Sequence, residues 1–154
     1  MTVSIVDINE SDKGDNFKHY TFLLVDDEHY IRSAVKRVII SVLKNCNDNI
    51  KLEFIEASDG IECILALYIA KNKKRKIDAI ISDETMPFIS GSHTSKIIQE
   101  IISKGNLGSI NNMYISSALN NPNMINNYSQ VVKKIFSKPL NKNVIQEIMQ
   151  NIQK

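Results

Sequence analysis

Apolar residues fall along this chain in two rhythms. Short, nearly unbroken runs occur at Thr21-Phe22-Leu23-Leu24-Val25, Leu52-Glu53-Phe54-Ile55, Ile77 to Ile81 (broken only by Asp78), Met113-Tyr114-Ile115-Ser116, and Val131-Val132 to Ile135-Phe136. Runs of this length and composition predict strands buried on both faces. Between them apolar residues recur at helical spacing: Ile31, Val35, Val38, Ile39, Val42 and Leu43; Ile61, Ile64, Leu65 and Tyr68; Ile97, Ile98, Ile101 and Ile102; Val144, Ile145, Ile148, Met149 and Ile152. Pro122 can open a further short helix carrying Met124, Ile125 and Tyr128. Strand and helix thus alternate five times. Crossover helices demand parallel strands with both faces covered, so the pattern predicts an open α/β sandwich on a five-stranded parallel sheet.

Two regions stand outside this alternation. Residues 1–19 hold Val3, Ile5 and Ile8 among polar neighbours, followed by a polar stretch from Glu10 to Asn16. They are expected to form a weakly ordered extension or an extra edge strand, with the main domain spanning 20–154. The basic run Lys71 to Lys76 suits a solvated helix end, where cations complement the helix dipole.

Composition narrows the function classes. The chain has 154 residues, enough for one domain with a sizeable core, and 19 basic against 17 acidic residues leave a net charge of +2. That balance gives no case for direct nucleic-acid binding. No apolar run is long enough to span a bilayer, and no secretory signal opens the chain. Cys46 and Cys63 lack metal-ligand spacing and read as thiols of a reducing, cytoplasmic compartment. No Gly-rich loop follows the first strand, so nucleotide binding of the Rossmann or P-loop kind has no support.

The chemistry lies at the strand ends. Parallel strands all point one way, so Asp26-Asp27, Asp83, Ser116-Ser117 and Lys138 gather at one carboxyl rim, where open α/β sheets place their ligands. Three clustered carboxylates repel one another and call for a cation. Oxygen ligands select a hard ion, and an incomplete cage suits Mg2+, with Mn2+ as a substitute. A lysine and a hydroxyl beside them could hold phosphoryl oxygens, and a carboxylate can form an acyl phosphate.

These motifs resemble those of response-regulator receiver domains, the CheY-like family of two-component phosphorelay signalling. The matching text is Phe22-Leu23-Leu24-Val25-Asp26-Asp27-Glu28, then Asp83-Glu84-Thr85-Met86-Pro87 with Gly91, then Ser117-Ala118, then Lys138-Pro139. The resemblance covers residue 20 to the end and implies a (βα)5 doubly wound, flavodoxin-like fold. It implies that Asp83 is the phosphoacceptor, served by a histidine kinase or a histidine-containing phosphotransfer protein. Asp27 would bind Mg2+ directly, Asp26 largely through water, and Thr85 through its backbone carbonyl. Ser117 would hydrogen-bond the phosphoryl group and Lys138 would pair with it. Ser117 is chosen over Ser116 because the family places a small residue, here Ala118, after the hydroxyl. The Lys138-Pro139 peptide would be cis, Thr85 and Leu119 would tune phosphoryl lifetime, and output to an unnamed partner would leave through the segment from Pro122 to Gln130 and the last strand and helix. Such a protein is a signalling switch, not an enzyme beyond its own phosphorylation and dephosphorylation, either stand-alone or part of a hybrid kinase.

One position departs from the family. An aromatic usually stands three residues before the lysine, but Ile135 stands there, with Phe136 on the opposite strand face as a core residue. Ile135 slightly favours a degenerate receiver that only binds partners, while the intact acids, Ser117 and Lys138 argue against it. A haloacid-dehalogenase-like phosphatase uses similar groups, but expects a second acid two residues after a first-strand nucleophile, where Asp27 is followed by His29. His29 and His93 read as surface or capping residues, not phosphoryl donors.

Overall fold

The computed structural model describes residues 1–9, 16–118 and 128–153. Its strands are β1 (Thr2–Ile8), β2 (Lys18–Val25), β3 (Ile50–Ala57), β4 (Ala79–Asp83), β5 (Met113–Ser117) and β6 (Val132–Ser137). Its helices are α1 (His29–Lys44), α2 (Gly60–Asn72), α3 (Gly91–Ser103) and α4 (Lys142–Gln153). The helix expected near Pro122 falls on residues 119–127, outside the described residues.

All six strands form one sheet in the order β1-β3-β2-β4-β5-β6. The five strands expected from the apolar runs pair in parallel, β3 with β2, β2 with β4, β4 with β5 and β5 with β6. The expected count of five is corrected by β1, which pairs antiparallel with β3 from Thr2↔Glu56 to Ile8↔Ile50. Residues Thr2–Ile8 thus form an extra edge strand. Their inward phase is carried by Val6 and Ile8, which pack on the core, while Val3 and Ile5 are 55% and 59% exposed. The strand stops at Asn9, whose φ of 58° leaves the extended region and whose side-chain Nδ2 donates to the Asp48 carbonyl at 3.3 Å.

The sheet separates two cores because successive strand residues point to opposite faces. Leu24, Ile81, Tyr114 and Phe136 face α1 and α4, meeting Ile39, Leu43, Ile145 and Ile148. Leu23, Val25, Ile80 and Ile115 face α2 and α3, meeting Cys63, Leu67 and Ile98. Phe136 is the expected core residue: it lies against Tyr114 with ring centroids 5.8 Å apart. Ile135, one residue earlier, packs on the opposite core.

The acid that interrupts the Ile77 to Ile81 run also has a place. Asp78 is buried and accepts a hydrogen bond from the Thr21 amide at 2.8 Å, while its own amide donates to the Thr21 carbonyl at 2.8 Å. It sets the start of β4 beside β2, so that both strands reach the rim in step. Within the basic run, Arg75 pairs with Glu53 and Lys76 with Asp78, and both cations stay exposed at the surface.

The edge strand makes a mutational prediction. Ile8 is 1% exposed and sits in the larger core. Ile8→Ala is expected to cost about 2–5 kcal/mol in urea unfolding, whereas Ile5→Ala should stay within about 0.5 kcal/mol.

Candidate functional site at the carboxyl rim

Parallel registration brings the polar ends of β2, β4 and β5 to one level. Val25 pairs with Ser82, and Asp83 pairs with Ser116, so Asp26 and Asp83 emerge side by side. One carboxylate oxygen each from Asp26, Asp27 and Asp83 lies within 4.8 Å of the others. Asp26 and Asp83 are buried, at 5% and 8% exposure, and Asp27 is exposed. Such a trio in so little solvent is electrostatically costly.

Among the described residues, Lys138 supplies the one ammonium that touches two of these acids. Its Nζ lies 3.0 Å from an Asp83 oxygen and 3.2 Å from an Asp26 oxygen. It is held there by the chain: its amide donates to the Ser117 carbonyl at 2.9 Å, and the Lys138-Pro139 peptide is cis, as the motif implied. Burial alone would lower the Lys138 pKa, but the hydrogen bond to Asp83 and the charges of Asp26 and Asp83 raise it above the ordinary lysine value.

Asp26 shows the residual imbalance. Burial pushes its carboxyl above the ordinary aspartate value, and the charge of Asp83 adds to that. The Glu28 amide, which donates to Asp26 Oδ1 at 2.9 Å, and Lys138 oppose the shift without cancelling it. The donor set is therefore all oxygen and negatively charged, with a single lysine between its members. Hard divalent cations such as Mg2+ or Mn2+ match that chemistry.

The hydroxyls stand at two levels. Ser116 pairs with Asp83, is buried, and lines a cavity of about 10 Å3 beneath the acids together with Asp26, Asp83 and Arg32. Ser117 lies one residue further out, also buried, opposite Ser137. Thr85 is exposed, on the loop that follows Asp83.

That loop is tied back through a residue not singled out in the sequence. Glu84 donates its amide to the Ser116 carbonyl at 3.2 Å and accepts at its own carbonyl from the Gly91 amide at 2.8 Å. Its carboxylate accepts from the Ser92 amide at 3.0 Å, from the Ser92 hydroxyl at 2.9 Å, and from the Tyr128 hydroxyl. Gly91 must be glycine here: a Cβ would stand 2.5 Å from the Asp83 carbonyl oxygen. Tyr128, expected on a helical apolar face, instead reaches across to Glu84, and burial with that carboxylate beside it pushes its hydroxyl pKa up. A separation of 44 residues leaves no local sequence signal for such a pair.

Phe88, in the same loop, is 82% exposed and has φ +68°. Both features are unfavourable for a bulky side chain. His93 lies in the capping turn of α3, its amide donating to Ser90 Oγ at 3.2 Å, and His29 is the first residue of α1. Cys63 is fully buried and its thiol is pushed up to about 12, leaving an inert packing residue.

No protein-family model matches the sequence, and no curated protein matches it. Solved structures do. A two-component response regulator from Cytophaga hutchinsonii superimposes with a TM-score of 0.72 at 20% identity, covering 86% of this chain and 96% of that one. The receiver domain of the hybrid histidine kinase CckA gives a TM-score of 0.56 at 27% identity, covering 87% and 99%. The CheY of a CheX-CheY-BeF3-Mg2+ complex from Borrelia burgdorferi gives 0.63 at 21%, covering 88% and 90%. The chain has the fold of response-regulator receiver domains. No helix among the described residues is long and apolar enough to cross a membrane.

Two predictions come from this geometry. The Asp26 carboxyl has a raised pKa in the fold, so its ionisation opposes folding: stability is fullest when it is protonated and falls as pH rises through the folded value. Asp26→Asn should therefore melt above the wild type at neutral pH, and the gain should vanish as pH falls below the ordinary aspartate range. Phe88→Gly should relieve the left-handed backbone conformation and raise stability by about 1 kcal/mol, read as a higher urea midpoint.

Proposed function

We propose that this chain is a phosphorelay receiver that takes a phosphoryl group onto Asp83 and signals by changing conformation. The observation that carries this reading is the contact of Lys138 Nζ with Asp83 at 3.0 Å and Asp26 at 3.2 Å, inside a cluster of three carboxylates. Asp83 and its neighbours have the donor chemistry of a cation site and the ammonium of a phosphoryl site in one place.

Asp26, Asp27 and Asp83 would hold a divalent cation, Mg2+ or Mn2+, with the exposed loop at Thr85 offering a backbone carbonyl. The ion would offset carboxylate charge and draw charge from the incoming phosphoryl oxygens. An Asp83 carboxylate oxygen attacks phosphorus of a phosphohistidine donor. The O–P bond forms as the P–N bond breaks, and the electron pair leaves on the imidazole nitrogen of a histidine kinase or phosphotransfer protein. Lys138 pairs with a phosphoryl oxygen. Ser117 is favoured over Ser116 as hydroxyl donor because receiver domains place a small residue, here Ala118, directly after that hydroxyl.

Phosphorylation adds charge to a site that already has more carboxylates than ammoniums. The groups closest to that change are Lys138 with β6, and Glu84 with its partners Ser92 and Tyr128. Output through β6, α4 and the segment before β6 follows from their attachment to these two points. Ile135 still stands where the usual aromatic would be, so the response runs without that side chain. The free thiols and the phosphohistidine donor fit a cytoplasmic setting.

Incubation with acetyl phosphate and Mg2+ should give a mass increase of one phosphoryl group that is labile to hydroxylamine. Asp83→Asn should abolish it, and Lys138→Ala should reduce it. A modification that persists in Asp83→Asn would move the chemistry elsewhere, and none in the wild type would favour a binding module.

A further inference from the structure

Among the three acids, Asp27 is the exposed one, and the hydrogen bonds that bracket it belong to its neighbours' backbone. The Asp26 amide donates to the Ala57 carbonyl at 3.1 Å, and the Glu28 amide donates to Asp26 Oδ1 at 2.9 Å. The Asp26 carbonyl, which begins the peptide plane leading into Asp27, accepts from Nη1 of Arg32. Arg32 is itself braced: its Nε donates to Glu56 Oε1 at 3.2 Å, and Lys36 donates to Glu56 Oε2 at 2.8 Å. The Glu56 side chain is 5% exposed and that of Arg32 13%. Burial would raise the Glu56 carboxyl, but Lys36 and Arg32 hold it below the ordinary glutamate value.

The location of Arg32 is not explained by its helix. It lies in the first turn of α1, its amide donating to the Glu28 carbonyl, where the helix dipole disfavours a cation. Glu56, at the end of β3, offsets that cost and leaves the guanidinium fork directed at the rim. A planar fork with several donors can hold a carboxylate and a carbonyl at once, which an ammonium cannot do in the same geometry.

We propose that Arg32 is a positioning residue for the cation site: by holding the Asp26 carbonyl it fixes the peptide plane into Asp27, and so sets where the Asp27 carboxylate stands relative to Asp26 and Asp83. The inference rests on the reading of these acids as a metal site. Glu56 and Lys36 hold the fork in place, and none of the three touches the phosphoryl group. Positioning and simple charge make opposite demands. By Coulomb's law alone, removing a cation near three carboxylates tightens Mg2+ binding. Loss of positioning weakens it, and does so even when the charge is kept.

Calorimetric titration of the full chain with Mg2+ separates these, using wild type, Arg32→Lys, Arg32→Met and Glu56→Asp. Both Arg32 variants should bind Mg2+ about tenfold more weakly or worse, as loss of an outer support does in other metal sites. Glu56→Asp, which keeps the charge but shortens the reach to Arg32, should change affinity in the same direction, and serves if the Arg32 variants fail to fold. With acetyl phosphate as donor, the Mg2+ concentration for half-maximal phosphorylation should rise while the rate at saturating Mg2+ stays near that of the wild type. A purely structural role would lower the melting temperature without that split. Undiminished Mg2+ affinity in Arg32→Lys or Glu56→Asp, or tighter binding in Arg32→Met, would overturn the inference and leave the metal site standing. Failure of the wild type to bind Mg2+ would overturn both.

Discussion

The structure depends on tolerating three carboxylates at one edge of a buried sheet. Asp26, Asp27 and Asp83 approach within 4.8 Å, two of them almost without solvent. Among the described contacts, one ammonium, that of Lys138, touches both buried acids. In so weakly screened a place, like charges a few ångströms apart are costly. The Asp26 carboxyl is raised above its ordinary value, first by burial and then by the charge of Asp83, against the opposing Glu28 amide and Lys138. An acidic cluster of this kind could hold a metal ion.

The surrounding sheet converts that imbalance into a defined geometry. Asp78 starts β4 level with β2, so Asp83 and Asp26 emerge together. Gly91 lets α3 approach the Asp83 carbonyl where any side chain would collide. Glu84 fastens the following loop to Ser92 and Tyr128, and Arg32 fastens the turn between the paired acids to Glu56. Each connection joins the rim to a different element: α1, β3, α3 and the chain before β6. The neighbourhood of Asp83 is thus tied to several elements of the fold, with Ile135 in place of an aromatic.

Much of this was legible in the residues. Doubly buried strands must be unbroken apolar runs, and a polar residue ending such a run marks the rim; Val25-Asp26 and Ser82-Asp83 announce themselves in this way. Lys138-Pro139 was recognisable as a motif. What local pattern could not reveal were contacts set by tertiary packing. Arg32 with Glu56 and Tyr128 with Glu84 are 24 and 44 residues apart. The edge strand was ambiguous for a different reason. Its most visible apolar residues, Val3 and Ile5, face outward, while Val6 and Ile8 do the packing. An alternating strand of seven residues with apolar side chains in both phases does not declare which face is buried.

The central claim is that Asp83, with its two acidic neighbours and Lys138, forms a cation-dependent phosphoryl site. Beryllofluoride, a tetrahedral mimic of a phosphoryl group on a carboxylate, tests it without requiring a partner or turnover. Fluorine NMR of the protein with beryllofluoride should show a bound species that appears only with Mg2+ and is lost in Asp83→Asn. Bound beryllofluoride that survives in Asp83→Asn, or no bound species in the wild type at saturating Mg2+, would contradict the account.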